Sequence, residues 1–150
     1  MIVMKRLLIV LVSLFVLMSS ASASAVITSP YGWRIHPVTG EYKFHTGIDI
    51  GYGYGEDIAA MMPGRVVYAA EYGGYGNCII LEHAGGDHTL YAHCSRFYVN
   101  YGQYVQKGTV IAAVGDSGIT TGPHLHLEWW HNGHYADPIR RLVKIYAWSE

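Results

Sequence analysis

The chain offers little charge to a polyanion. Ten Lys and Arg stand against eleven Asp and Glu, for a formal net charge of −1 with nine neutral histidines. No basic cluster follows residue 23, so a nucleic-acid partner is not expected. Long apolar runs are also missing: the longest, Leu7–Met18, is interrupted by Ser13 and falls short of the roughly 20 residues that span a bilayer. Of the two cysteines, neither lies near that run, which argues against a lipid-anchored N-terminus. Helical periodicity is scarce, and H-E-x-x-H does not occur, which excludes the helical zinc-protease signature and its glutamate base.

What is present begins with Lys5 and Arg6 ahead of the apolar run, followed by the small residues "SSASASA". This is the layout of a secretory signal, with cleavage options after Ala23 or Ala25 and a retained N-terminal anchor as the alternative. We assign residues 1–23 to the signal and expect no stable membrane span once it is removed. The remaining residues, 24–150, suffice for one compact domain and hold all 18 Gly, all five Pro and all thirteen Tyr.

Short runs rich in Val, Ile, Leu, Tyr and Trp alternate there with glycine-bearing turns. Strands are expected at 64–72, 77–83, 88–94, 108–115 and 124–130, with "HAGGDH" closing a hairpin between two of them. The fold class is therefore all-β: a small, mainly antiparallel sheet or sandwich, with one short C-terminal helix. Asp137 is that helix's expected N-cap and Pro138 its first residue. "PGRVVYAA" and "KGTVIAAV" echo each other, either as related hairpins or as two similar strands.

Three patterns carry chemistry. In "KFHTGIDIG" the β-branched Thr46, Ile48 and Ile50 alternate, which reads as a strand with His45, Gly47 and Asp49 on its other face. Alone, such a face is most simply a solvated one. In "GPHLHLEW", however, His124 and His126 share a face about 7 Å apart along a second strand. "LYAHCS" adds His93. Two His and one Asp satisfy a catalytic zinc with a position left for water, and the two remaining imidazoles would carry protons near neutral pH. Spacing leaves open which of His93, His124 and His126 completes the zinc set.

Together with "SPYGWRIHPVTGEYKFHTGIDIG" and "GDSGITTGPHLHLEWW", these segments resemble the lysostaphin/LytM-type zinc endopeptidases of bacterial cell walls, over about residues 29 to 139. The resemblance implies that His45, Asp49 and His126 bind one Zn²⁺, while His93 and His124 act as general base and stabiliser of the tetrahedral intermediate. It further implies a groove over the metal, a peptidoglycan peptide as substrate, and a secreted, periplasmic or wall-associated location. Arg34 matches a recurrent arginine of that family. Some relatives lack ligands and only activate other wall hydrolases; every metal and catalytic position is present here, so turnover is expected.

Other features are weighed more plainly. "AHC" and "GDSG" look like serine-protease fragments, but 24 positions separate His93 from Ser117, and the domain is too short for two barrels. A hairpin symmetric about Gly86 would set Cys78 opposite Cys94 and permit a cross-strand disulfide, whereas a two-residue turn would separate them. His83, His88, His131 and His134 flank turns and are expected to be solvated. His36 is expected at the groove rim or in a structural contact. Tyr52, Tyr54, Tyr72 and Tyr75 fall in glycine-rich loops, for packing or for stacking on substrate.

Overall fold

The computed structural model describes residues 26–147. The signal assignment, with its Ala23 and Ala25 options, lies outside them. In chain order the strands are β1 (Val26–Ser29), β2 (Gly32–Ile35), β3 (Tyr42–His45), β4 (Gly47–Gly51), β5 (Asp57–Ala59), β6 (Gly64–Glu71) and β7 (Asn77–Glu82). There follow β8 (Asp87–Ala92), β9 (Cys94–Phe97), β10 (Tyr104–Val105), β11 (Val110–Val114), β12 (Leu125–His131), β13 (His134–Ala136) and the helix α1 (Pro138–Ala147). Asp137 caps α1 as expected, its Oδ1 accepting the Ile139 N–H at 2.9 Å.

The main sheet runs β1-β4-β12-β8-β7-β6-β10, with β13 added along the far end of β12. A three-stranded sheet, β5-β11-β9, and a two-stranded ribbon, β2-β3, complete the architecture, and every pairing is antiparallel. The echoing segments fall in β6 and β11, which lie in different sheets.

Strand alternation decides which side chains reach the core. Along β12, Leu125 and Leu127 turn inward with Ile48 and Ile50 of β4, and they join Ile79, Leu81 and Tyr91 of the main sheet with Ile58 and Ile111 of the smaller one. Burying each such aliphatic side chain contributes about 1.5–3 kcal/mol. The intervening residues of β12, His126, Glu128 and Trp130, take the opposite face, where Cys78, Leu90 and Ala92 form a second, smaller cluster. The chemistry therefore sits on the outer face of the main sheet, on strands locked from beneath by the core.

Three expectations need correction. Cys78 and Cys94 form no disulfide; both are buried free thiols, and burial pushes each up to about 12. The hairpin is centred on Gly85 rather than Gly86, with Glu82 opposite His88 and Ile79 opposite Tyr91. Cys78 therefore faces the level of Ala92, and Cys94 has passed into β9 of the other sheet. The expected strand over 88–94 breaks at the same point, because His93 turns the chain with φ 61°. His83 is also not solvated: it is buried, with Nδ1 donating to the Pro63 carbonyl at 2.8 Å and Nε2 against the Thr89 hydroxyl at 2.7 Å.

Candidate metal centre and active site

Three segments meet at the end of the main sheet. The expected single strand through "KFHTGIDIG" is two strands, because the chain kinks at Thr46 between β3 and β4. His45 ends the β2-β3 ribbon, and Asp49 lies in mid-β4, opposite His126 of β12. Gly47 lies against the neighbouring strand. A Cβ there would stand 2.3 Å from the Leu127 carbonyl oxygen, so glycine is what allows β4 and β12 to pair closely enough to align Asp49 with His126.

Around this point His45 Nε2 lies 3.1 Å from His126 Nδ1 and 3.2 Å from Asp49 Oδ1, and the His126 to Asp49 contact is 2.9 Å. The outward nitrogens decide what the inward ones carry. His45 Nδ1 sits 2.8 Å from the Pro30 carbonyl, which can only accept, so the proton is on Nδ1. His126 Nε2 lies 3.2 Å from the Glu128 carboxylate and is protonated for the same reason. Three lone pairs thus point at one another with no proton among them, an arrangement that calls for a cation. The donor set, two imidazoles and a carboxylate, suits zinc with one position open.

The charge distribution points the same way. Burial pushes the Asp49 carboxyl up, but the surrounding His124, His126 and His45 rings outweigh it and hold its pKa below the ordinary carboxylate range. Burial lowers His126, yet Asp49 and Glu128 raise it overall. Arg34 places a guanidinium nitrogen 3.4 Å from Asp49 Oδ2, fixing the oxygen that faces away from the cluster.

His93 and His124 stand beside these three, with ring centroids 4.7 Å apart. Each is anchored through Nδ1 to a backbone carbonyl, His93 to Ser117 at 2.8 Å and His124 to Gly122 at 2.9 Å, which leaves Nε2 available. Burial pushes His93 down to about 4, helped by the neighbouring His124 and His126, against the Ser117 carbonyl. His124 is also lowered by burial, but Asp49, whose Oδ1 lies 3.5 Å from its Nε2, raises it overall. The left-handed backbone of His93 is a conformation that side chains rarely hold without a purpose. All five residues line a groove of about 700 Å³, whose walls include Arg34, Lys43, Phe44 and Ile119 to Pro123.

The model of peptidase family M23 matches residues 43–138. The chain belongs to family M23. M23 peptidases are zinc-dependent metallopeptidases, which agrees with the donor set just described. Among relatives, the M23 chain is 42% identical over 113 residues to DD-carboxypeptidase/endopeptidase Mpg of Neisseria meningitidis serogroup B, covering 75% of this chain and 26% of that protein. It therefore spans about a quarter of the length of such curated relatives. Among solved structures it resembles the catalytic domain of the antimicrobial peptidase lysostaphin from Staphylococcus simulans, with TM-score 0.72 and 30% identity over 79% of this chain and 92% of that one. A zinc-containing peptidase from Vibrio cholerae matches with TM-score 0.70 and 34% identity, over 75% of this chain and 35% of that one.

The M23 site includes residues that the sequence did not single out. Glu128 is fully buried under His126, and Thr46 and Tyr75 donate hydroxyls to it. Its signal was legible: a glutamate two residues beyond His126 on an apolar strand must share that histidine's face. Arg34 acquires a contact, and Ser117 proves to be a loop residue whose hydroxyl donates to the Cys94 carbonyl at 2.9 Å. His36 lines the groove and also caps its own turn, accepting the Val38 and Thr39 N–H groups at 3.2 Å.

Proposed function

We propose that the chain is an exported zinc metalloendopeptidase that hydrolyses peptide bonds in the stem peptides or cross-bridges of peptidoglycan. The observation that carries this reading is the convergence of three unprotonated donor atoms beside two anchored imidazoles in an open groove. The printed names of the relatives supply the substrate class, and Lys5, Arg6 and the apolar run after them support export to where that substrate lies.

His45, Asp49 and His126 would hold the ion. A zinc ion there supplies Lewis acidity, polarising the scissile carbonyl and making water acidic enough to attack near neutral pH. His93, kept neutral by burial, takes the proton from the attacking water through Nε2 and passes it to the leaving amine. His124, which Asp49 keeps protonated more readily, directs its Nε2–H at the carbonyl oxygen as negative charge gathers there. The groove has room for an extended peptide across both imidazoles.

The test is digestion of purified peptidoglycan by the zinc-loaded protein, with products identified by mass spectrometry. Soluble peptide-linked fragments that disappear with a chelator and return with zinc are expected. Intact peptidoglycan after incubation with a zinc-loaded, folded protein would contradict the proposal.

A further inference from the structure

We infer that Glu128 is a positioning residue of the metal centre: its carboxylate holds the His126 ring in the tautomer that leaves Nδ1 free for the ion. The inference rests on the zinc reading above and names what maintains it. Glu128 has 0% exposure, although it is charged. Its Oε1 accepts from the Thr46 hydroxyl, from the Tyr75 hydroxyl at 2.8 Å and from His126 Nε2–H at 3.2 Å, while Oε2 accepts from Trp130 Nε1–H at 2.9 Å. All four partners donate, so the buried group is satisfied as an anion. The His126, Thr46 and Tyr75 bonds outweigh burial and lower its pKa.

A carboxylate retained only to join strands has no need of these particular partners, since buried polar groups of that kind are often replaced by apolar ones at little cost. Three of the four stand at the joints of the site. Thr46 is the kink between His45 and Asp49; Tyr75 accepts the His93 N–H at its carbonyl at 2.9 Å; and His126 is itself a proposed ligand. Opposite Glu128 on β4 lies Gly47, where a Cβ would stand 3.0 Å from the glutamate Cγ, so the strand pairing itself makes room for the side chain. One buried anion thereby fixes a ligand ring, the bend that presents the other two ligands, and the loop that anchors the proposed base.

Glutamine separates this from a merely structural part. It keeps one carbonyl oxygen and presents an NH₂ where the other stood, so either His126 or Trp130 meets a donor. Trp130→Phe removes one of the two competing N–H groups and lets the amide oxygen serve His126. Zinc affinity, read by competition with a chelator on the whole folded protein, is expected to fall about 10- to 100-fold in Glu128→Gln. Glu128→Gln combined with Trp130→Phe should recover most of that loss, and Trp130→Phe alone should weaken binding less than Glu128→Gln does. A folded Glu128→Gln within about twofold of the unaltered affinity, or a double variant as weak as the single one, would overturn the inference. Nitrogen-15 NMR of the zinc-loaded, unaltered protein reads the tautomer directly even where a variant fails to fold: protonated Nε2 on His126 is expected, and protonated Nδ1 would overturn it. Failure of the unaltered protein to bind zinc would remove the functional reading as well.

Discussion

Every imidazole in the groove has one nitrogen held by a neighbour and one left over, and function is divided by what the leftover nitrogen meets. In His45 and His126 it meets Asp49 and the other of the two rings; in His93 it faces the groove and is protonated only at low pH. His45→Ala should therefore abolish zinc binding, whereas His93→Ala should keep zinc and lose about 10²- to 10⁴-fold in turnover. Zinc content and peptide release measured on the same preparations check both; loss of metal in His93→Ala would reverse the assignment. His45, Asp49, His124 and His126 stood out as candidates in the sequence, because H-x-x-x-D and H-x-H are short local patterns. His83 was misjudged, because a turn-side histidine can be drawn under the sheet by two partners distant in the sequence or across the hairpin, here Pro63 and Thr89. Its folded pKa is lowered by burial, while the unfolded chain takes the proton at the ordinary value of about 6.5. Stability tied to His83 is thus complete above that pH and is lost as pH falls toward the folded value. His83→Gln should flatten the decline of Tm below pH 6.5, as thermal melts across that range would show; an unchanged slope would contradict it.

At the level of elements, β6, β7, β11 and β12 start and end within about two residues of the spans expected for them and α1 starts at the expected Pro138, because β-branched runs, glycine turns and an Asp-Pro cap are local signals. What escaped was set by tertiary contact. The break at Thr46, the corner at His93 and the one-residue offset of the β7-β8 turn all depend on which strand lies alongside, and periodicity does not report that. Gly47 shows the point most sharply, since its glycine answers to the backbone of β12 rather than to His45 and Asp49 on either side of it. Gly47→Ala must part β4 from β12 against a backbone oxygen, so it should destabilise by about 1–3 kcal/mol and weaken zinc binding at the same time. Chemical denaturation with and without zinc checks this, and a variant with normal stability would refute the close approach.

The whole molecule is a sheet whose buried face fixes positions and whose other face uses them. Because His45 reaches the site from the β2-β3 ribbon while Asp49 and His126 come from the main sheet, an ion bound by all three ties separate elements together and binds the folded state alone. At free zinc about 1,000-fold above Kd this adds about 4 kcal/mol of stability, so a chelator should lower Tm by several degrees, and in His45→Ala it should change nothing. The all-β class followed from alternation in the sequence; the meeting of three segments at one point did not, because it is a property of the closed fold. X-ray absorption at the zinc edge of the stoichiometrically loaded protein tests that meeting most directly. Two imidazole nitrogens and a carboxylate oxygen at about 2.0–2.2 Å are predicted, whereas sulfur scattering near about 2.3 Å, or a shell without imidazole, would contradict it.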